Sequence, residues 1–361
     1  MKFCSLGFQN FRNLADSIVP VDSHHILLIG DNGQGKTNFL EALYVLCYGS
    51  SFRTNKVAQL ATFGSKSFAL SAIVQTDEEI HQQIMFRFEE GKREIRIDGK
   101  EIRDRRDLIY NIPCIVFTHD DIEFIRGEPE QRRRFFDQTM SLYDPLFFDD
   151  LRRYRLILRQ RNAAIKEQYY ALLPTYDTQL ATSGLAILRK RRQEVKKFNA
   201  ILAPLYKEVS QTDVQLSISY RPSWSNCNNV EEIEELLKET VERDIKMQTT
   251  TSGIHRDQFV VLEHNHPFVS SGSTGQMRLA SLLLRIAQMV SYSTNTAKEP
   301  ILLIDDVLLE LDPVKRGLFL SLLQGYSQAF FTFLPDETYF FSDTNNKEMR
   351  YHVKEGRFEL A

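Results

Sequence analysis

The sequence predicts an α/β domain built on a parallel sheet and interrupted by a mainly helical lobe. Three observations carry this reading. Ile26-Leu27-Leu28-Ile29, an apolar run of the kind buried on both faces of a parallel sheet, leads directly into Gly30-Asp31-Asn32-Gly33-Gln34-Gly35-Lys36-Thr37. A second such run, Ile301-Leu302-Leu303-Ile304, ends in the carboxylate pair Asp305-Asp306. Between them, from near residue 126, more than a hundred residues carry little but helix signal.

Taken in order, Phe3, Leu6, Phe8, Phe11 and Leu14 suggest one or two strands before the first glycine loop. The loop itself matches the phosphate-cradling pattern G-x-x-x-x-G-K-T in full. Its glycines let backbone N–H groups close around an anion, and the following helix adds the positive end of its dipole. Lys36 can reach the β- and γ-phosphates of ATP, and the Thr37 hydroxyl can ligate Mg²⁺. The nucleotide-binding residues are therefore expected to be Gly30, Asp31, Asn32, Gly33, Gln34, Gly35, Lys36, Thr37 and Asn38. Leu40, Leu43 and Cys47 repeat as on a helix, and Gly49 sits where a glycine C-cap belongs. Ser50 to Thr54 form a polar loop, open to two readings: it wraps the nucleotide or DNA, or it is plain surface.

Residues 67 to 76 and 83 to 102 look like antiparallel strands, with turns at Glu90-Gly91-Lys92 and Asp98-Gly99. Pro113 to Phe117 read as another buried strand. Pro129 opens the helical part. There Leu151, Tyr154, Leu158 and Ile165 make one stripe and Arg152, Arg155 and Arg159 another. Strand character returns near 251 and continues to Leu262. Ser271 to Arg278 then open an apolar helix through Leu279, Leu282, Leu283 and Ile286, ending at the Asn295-Thr296-Ala297 loop. The tail carries strands at Phe330-Phe331-Thr332 and Tyr351-His352-Val353, and Glu355-Gly356 turns into Phe358.

At 361 residues the chain has room for about two domains and a large core. No apolar run approaches the roughly 18 residues of a membrane span, and Met1-Lys2-Phe3-Cys4 does not begin a signal peptide, so no membrane partner and a cytoplasmic location are expected. Cys4, Cys47, Cys114 and Cys227 lack metal-ligand spacing and read as reduced thiols.

A formal charge of −3 hides a strong polarisation. Residues 151 to 197 hold twelve basic against three acidic residues, a net of +9, whereas 230 to 244 hold seven acidic against two basic, a net of −5. A charge run is commonly just a solvated helix face. This one exceeds what solubility requires, and phosphate-backbone binding is expected of Arg152, Arg155, Arg159, Arg189, Arg191 and Arg192. The acidic stretch reads as a solvated helix.

With the phosphate loop present, Asp305 is expected to hold Mg²⁺ and Asp306 to polarise the attacking water. Lys36 and Asp306 are thus the catalytic pair. Glu310-Leu311-Asp312 follows at the distance of a loop crossing a dimer interface.

Ser273-x-Gly275-Gln276 at a helix mouth, upstream of Ile301 to Asp306 and of Glu310-Leu311-Asp312, resembles the signature and D-loop of ABC-type ATPases. More narrowly, nearly the whole chain resembles the RecF family of bacterial recombination and gap-repair proteins. The residues that carry this are Phe11-Arg12-Asn13, Gly30 to Asn38, Val116-Phe117, Gly127 with Arg132 to Phe135 and Asp137, Arg161-Asn162, His255-Arg256-Asp257, Ser273 to Arg278 and Leu302 to Asp312.

The resemblance implies an ABC-type head over 1–125 and 246–361, with a helical, basic DNA-binding lobe inserted over 126–245. It further implies an ATP-dependent head-to-tail homodimer. ATP then lies between the phosphate loop of one subunit and Ser273, Gly275, Gln276 and Arg278 of the other, with Glu310 and Asp312 in the D-loop. The family acts on single-stranded, gapped or junction DNA and helps to load recombinase with mediator proteins. The chain departs from the family pattern at Met277, where a second Gln is usual, and at Phe117 to Asp121, where a Ser-Pro-Glu-Asp-like run is common. Phe331-Thr332 occupies the switch position that holds His in ABC transporters. Asp rather than Glu at position 306 implies slow hydrolysis, a switch rather than a motor.

Some residues admit two readings. His255 is either a core histidine or a group near the nucleotide or interface, and Arg132 to Arg134 either pair with local acids or touch DNA. Two other functional classes share these motifs: an ATPase subunit of a transporter, and a scaffold that binds ATP without consequential hydrolysis. The basic lobe speaks against the transporter.

Overall fold

The computed structural model describes residues 1–336 and 348–361; within them, the side chain of Glu310 lies outside the described residues. The chain divides into two compact units, Met1–Asp120 with Tyr292–Ala361, and Asp121–Ser291.

In the first unit the strands are β1 (Lys2–Gln9), β2 (Ser17–Pro20) and β3 (His25–Ile29), followed by helix α1 (Lys36–Tyr48). Next come β4 (Ser67–Gln75), β5 (His81–Glu89), β6 (Lys92–Ile97), β7 (Lys100–Glu101), α2 (Arg105–Asn111) and β8 (Cys114–Phe117). The second unit runs through α3 (Glu123–Arg126), α4 (Pro129–Ser141), α5 (Pro145–Lys166), α6 (Leu173–Ser210), β9 (Leu216–Arg221), α7 (Val230–Glu239), α8 (Val241–Met247), β10 (Gln258–Glu263), β11 (His266–Pro267) and α9 (Phe268–Ser271). Helix α10 (Thr274–Thr296) crosses the boundary back to the first unit, which ends with β12 (Ile301–Ile304), α11 (Pro313–Leu322), β13 (Gln328–Phe333), β14 (Glu348–Lys354) and β15 (Arg357–Leu360).

Among the described residues the first unit holds two six-stranded sheets. One, in the order β15-β14-β3-β13-β12-β8, is parallel except for β15; every residue of β3, β8, β12 and β13 is buried, as continuous apolar strands require. The other, β2-β1-β4-β5-β6-β7, is antiparallel, and β4 alternates buried Phe68, Leu70, Ala72 and Val74 with half-buried neighbours. Helix α1 lies in the apolar core that both sheets share. Its Phe39 ring contacts Phe8 of the antiparallel sheet and Phe330 of the parallel one, at centroid distances of 5.8 and 6.3 Å. A helix buried on both sides has no polar face to spare, which is why its residues are apolar nearly all round. Gln328 links the sheets: fully buried on β13, it accepts from the Phe3 N–H at 2.8 Å and donates to the Val21 carbonyl at 2.7 Å.

In the second unit α5 and α6 form a long antiparallel hairpin, and Phe135, Phe136, Phe198 and Phe259 pack ring against ring beside it. Trp224 is buried against Gly184, where a Cβ would strike its ring, and its indole N–H donates to Ser252 Oγ at 3.0 Å.

Several expectations need correction. The mainly helical lobe also carries a three-stranded sheet, β11-β10-β9, of which β9 lies within the stretch 126–245 read as helical. That pairing, with Phe259 of β10 opposite Tyr220 of β9, ties residues 258–263 to the second unit, although the sequence places 246–361 in the head. Strand structure begins at Gln258, not near 251, since Ile254–Arg256 make a short 3-10 turn. The buried line of α5 uses Ile157 rather than Leu158, adding to Leu151, Tyr154 and Ile165. Helix α10 continues through Thr296 before Ala297 turns at φ 55°. Among the described residues no helix is long and apolar enough to cross a membrane.

Candidate nucleotide site

The phosphate loop joins the end of β3 to the start of α1. Gly30 is confined by the neighbouring strand, for a Cβ there would run into the Val353 carbonyl oxygen of β14. Gly35 takes φ 115°, which side-chain-bearing residues rarely adopt, as the chain turns into the helix. Lys36 is 4% exposed, and its ammonium donates to the carbonyls of Gly30 at 2.5 Å and Asp31 at 3.1 Å, so its charge lies across the mouth of the loop. Asp31, Asn32 and Gly33 form the exposed crown, with Gln34, Thr37 and Asn38 half-buried below.

Two distant segments brace this loop. The Asn13 amide donates to the Gly33 carbonyl at 3.1 Å, and the Asn38 amide donates to Asn13 Oδ1 at 2.7 Å. From the β14–β15 turn, the Glu355 N–H donates to Gln34 Oε1 at 2.7 Å and the Gly356 N–H to the Gln34 carbonyl at 2.9 Å. Deeper, fully buried Glu41 receives a two-pronged bond from Arg12 at 2.8 and 2.9 Å and a third from Ser51 Oγ at 2.5 Å. Arg53 bonds Asn38 Oδ1 at 2.8 Å, so the Ser50–Thr54 loop packs on the start of α1. Sequence reasoning missed Glu41; the available signal was a lone carboxylate among Leu40, Ala42 and Leu43.

Opposite the loop stands the end of β12. Thr37 Oγ1 donates to Asp305 Oδ1 at 2.8 Å. Asp305 is 7% exposed; burial raises its carboxyl pKa to about 6, the Thr37 hydroxyl pulls the other way, and the charge of Asp306 adds to the rise. Asp306 turns the chain in the left-handed region at φ 51°, a conformation with a steric penalty that functional turns tolerate. Thr332, on the adjacent strand β13, donates from Oγ1 to Asp306 Oδ1 at 2.8 Å and accepts from the Asp306 N–H at 2.8 Å. The residue at the switch position thus holds the second carboxylate. Hydroxyl and carboxylate oxygens at one point are the hard donors that Mg²⁺ takes, and Thr37 and Asp305 fit that ion.

In the second unit Ser273 caps α10. Its Oγ accepts from the Gln276 N–H at 3.3 Å while its own N–H donates to Gln276 Oε1 at 2.8 Å, a reciprocal capping box. Ser273, Gly275 and Gln276 are exposed and Arg278 is half-buried. A Cβ at Gly275 would meet nothing within 4 Å, so the chain's own packing does not require glycine there. Asp312 caps α11 by accepting from the Lys315 N–H at 3.0 Å.

The arginines expected on DNA divide. Arg152, Arg155, Arg159 and Arg189 are exposed and Arg192 is half-buried. Arg189 and Arg192 also donate to the Asn228 and Ser225 carbonyls at 2.8 and 2.9 Å. Arg191 must leave the set: it is 1% exposed, clamped on Asp137 at 2.8–3.0 Å and on Asp257 Oδ2 at 2.8 Å. Arg161 is likewise internal, bonded to Asp177 and Asp244 at 2.6 Å each. Arg133 donates to the Asp257 carbonyl at 2.7 Å, and His255 lies between the Tyr154 hydroxyl at 2.8 Å and the Thr250 carbonyl at 3.0 Å. These residues, several of which carry the family resemblance, hold the second unit together.

Residues 3–354 match the family model described as the RecF/RecN/SMC N terminal domain. The chain is 42% identical over 330 residues to the DNA replication and repair protein RecF of Treponema pallidum (strain Nichols), covering 91% of this chain and 93% of that one. With the protein of the same name from Leptospira interrogans serovar Lai (strain 56601) it shares 34% identity over 331 residues, 91% and 90% of the two chains. Among solved structures, that of the recombination mediator protein RecF-ATP in the RecFOR pathway superposes with a TM-score of 0.90 at 27% identity, over 100% of this chain and 97% of that one. An Smc head domain from Pyrococcus furiosus shares the fold at a TM-score of 0.54 and 14% identity, over 100% and 96%.

Proposed function

The chain belongs to the RecF family, and on that premise we propose that it is an ATP-dependent DNA-binding switch of replication and recombinational repair. One observation carries the nucleotide half of this reading. Thr37 of the phosphate loop and Asp305 of β12 meet at 2.8 Å, with Asp306 held beside them by Thr332. A hydroxyl and two carboxylates are thereby gathered at one point, which supports a Mg²⁺ site there. A relative's solved structure is described as RecF-ATP, which supports ATP as the ligand here.

In the proposed reaction the loop N–H groups and Lys36 hold the β- and γ-phosphates. Mg²⁺ on Thr37 and Asp305 would offset phosphate charge. Asp306 accepts a proton from water as the water oxygen bonds the γ-phosphorus and the bond to the ADP oxygen breaks, releasing ADP and phosphate. A carboxylate is a weak base, and turnover is slow.

The second half-site comes from another copy. Exposed Ser273 and Gly275 at the start of α10 supply a hydroxyl and helix N–H groups to the γ-phosphate held by the partner, with Gln276 locking the cap, Arg278 behind it, and Glu310 and Asp312 in the crossing loop. The open space at Gly275 supports this, because a bare backbone allows another molecule to approach closely. On this reading nucleotide-facing residues fall within 1–125 and 246–361. DNA-facing Arg152, Arg155, Arg159, Arg189 and Arg192 fall within 126–245. ATP closes the homodimer on single-stranded or gapped DNA in the cytoplasm, and mediator proteins act with it to load recombinase.

Sedimentation with gapped DNA, comparing no nucleotide, ADP, and ATP with Mg²⁺, tests the proposal. Dimerisation and DNA binding that appear together only with ATP are expected. Dimers that ignore DNA would overturn the DNA half and leave an ATP-dependent scaffold.

A further inference from the structure

The turn between α5 and α6 presents two aromatic rings to solvent at the end of a basic line. Arg152, Arg155, Arg159 and Lys166 are all exposed. Steps of three, four and seven residues return to one side of a helix, so these four share a face of α5. At about 1.5 Å per residue the line is roughly 21 Å long. From 152 to 170 Glu167 is the one acidic residue, against six basic ones.

Beyond Lys166 the helix ends in a Schellman cap. Gln168 takes φ 63°, its N–H donates to the Ile165 carbonyl at 3.3 Å, and the Tyr169 N–H donates to the Ala164 carbonyl at 2.8 Å. Ala164, Ile165 and Leu173 form a small buried cluster with Tyr176 and Val241 against it. The backbone of the tip is therefore anchored, while Tyr169 and Tyr170 stand 58% and 40% exposed. Among the described residues neither has a hydrogen bond from its hydroxyl or a ring contact. Anchored aromatic rings left in water, at the end of a positive line, suit a ligand that is both anionic and flat-faced.

We propose that unpaired DNA bases stack on Tyr169 and Tyr170 while Arg152, Arg155, Arg159 and Lys166 follow the phosphates of the same strand. The inference rests on the DNA-binding reading above and deepens it. Base faces are available in a single strand or at the edge of a gap and are hidden inside a duplex, so the tip gives the lobe a preference for unpaired DNA.

The test is fluorescence anisotropy of the full chain with ATP and Mg²⁺, against a labelled thymidine oligonucleotide and a duplex of equal length. For the double variant Tyr169→Ala/Tyr170→Ala, the single-strand Kd should rise roughly tenfold. Duplex affinity and both salt slopes should hold, since no charge is removed. Tyr169→Phe/Tyr170→Phe keeps the ring faces and should bind as the parent does. Unchanged single-strand affinity in the Ala variant, equal losses on both DNA forms, or a Phe variant as weak as the Ala one would each overturn the proposal. A parent chain that binds no DNA, or whose salt slope ignores Arg159→Gln, would instead overturn the DNA reading on which it rests.

Discussion

Thr332 and Asp306 exchange hydrogen bonds in both directions: the Thr332 hydroxyl donates to the Asp306 carboxylate and accepts from the Asp306 backbone, each at 2.8 Å. A single side chain on β13 thereby fixes both the turn after β12 and the aim of the proposed base. Thr332→Val keeps the shape and removes both bonds. It should lower the ATP hydrolysis rate about tenfold while leaving ATP affinity within about twofold. Steady-state phosphate release and nucleotide titration read the two quantities separately.

Lys36 and Asp306 should fail in different ways. Lys36→Ala removes the charge that the proposed reading sets on the phosphates, and ATP binding should be lost in isothermal titration. Asp306→Asn keeps the loop intact, so ATP should still bind, hydrolysis should fall, and the ATP-bound dimer should persist longer in sedimentation. Normal hydrolysis by Asp306→Asn would exclude Asp306 as the base.

Arg191 and Arg159 offer a contrast between a buried and a surface charge. Arg191→Met leaves Asp137 and Asp257 buried without their cation and should destabilise the second unit by about 3–5 kcal/mol in urea unfolding. Arg159→Gln should change stability by less than about 0.5 kcal/mol. Its effect belongs on DNA, where the slope of log affinity against log salt should fall by about 0.7–0.9.

His255 makes the second unit sensitive to acid. Burial, followed by the charges of Arg256 and Arg133, lowers its pKa from 6.5 to about 4, against the opposite pull of its bond to the Thr250 carbonyl. Between those values the unfolded chain takes up a proton that the folded chain refuses, so stability is full above pH 6.5 and declines toward pH 4. The loss should amount to about 2 kcal/mol, allowing for partial exposure. Urea midpoints at pH 7 and 4.5 should differ less in His255→Gln than in the parent chain.

What could be read in advance was local. The phosphate loop, Asp305-Asp306 and the helix mouth at Ser273 to Gln276 each lie within a few consecutive residues, where spacing alone constrains geometry. Thr332 could not be given its role from spacing. It reaches Asp306 only because the parallel order places β13 beside β12, and strand order is a property of the folded chain. Arg191 was misplaced for a related reason. Its neighbours Arg189, Lys190 and Arg192 are basic, and nothing nearby announces that Asp137 and Asp257, 54 and 66 residues away, converge on it. The short sheet of the second unit was hidden in the same way, since β9 and β10 are separated by two helices.

The braces on the phosphate loop carry a consequence for the order in which the protein matures. Residues 26–37 leave the ribosome early, yet β3 must wait for β13 and β14 on its two sides, and Gln34 must wait for Glu355 and Gly356. A nascent chain that has emerged only as far as the second unit holds the complete glycine motif without the walls that shape it. The loop therefore reaches its folded shape only once the last strands of the chain have been made.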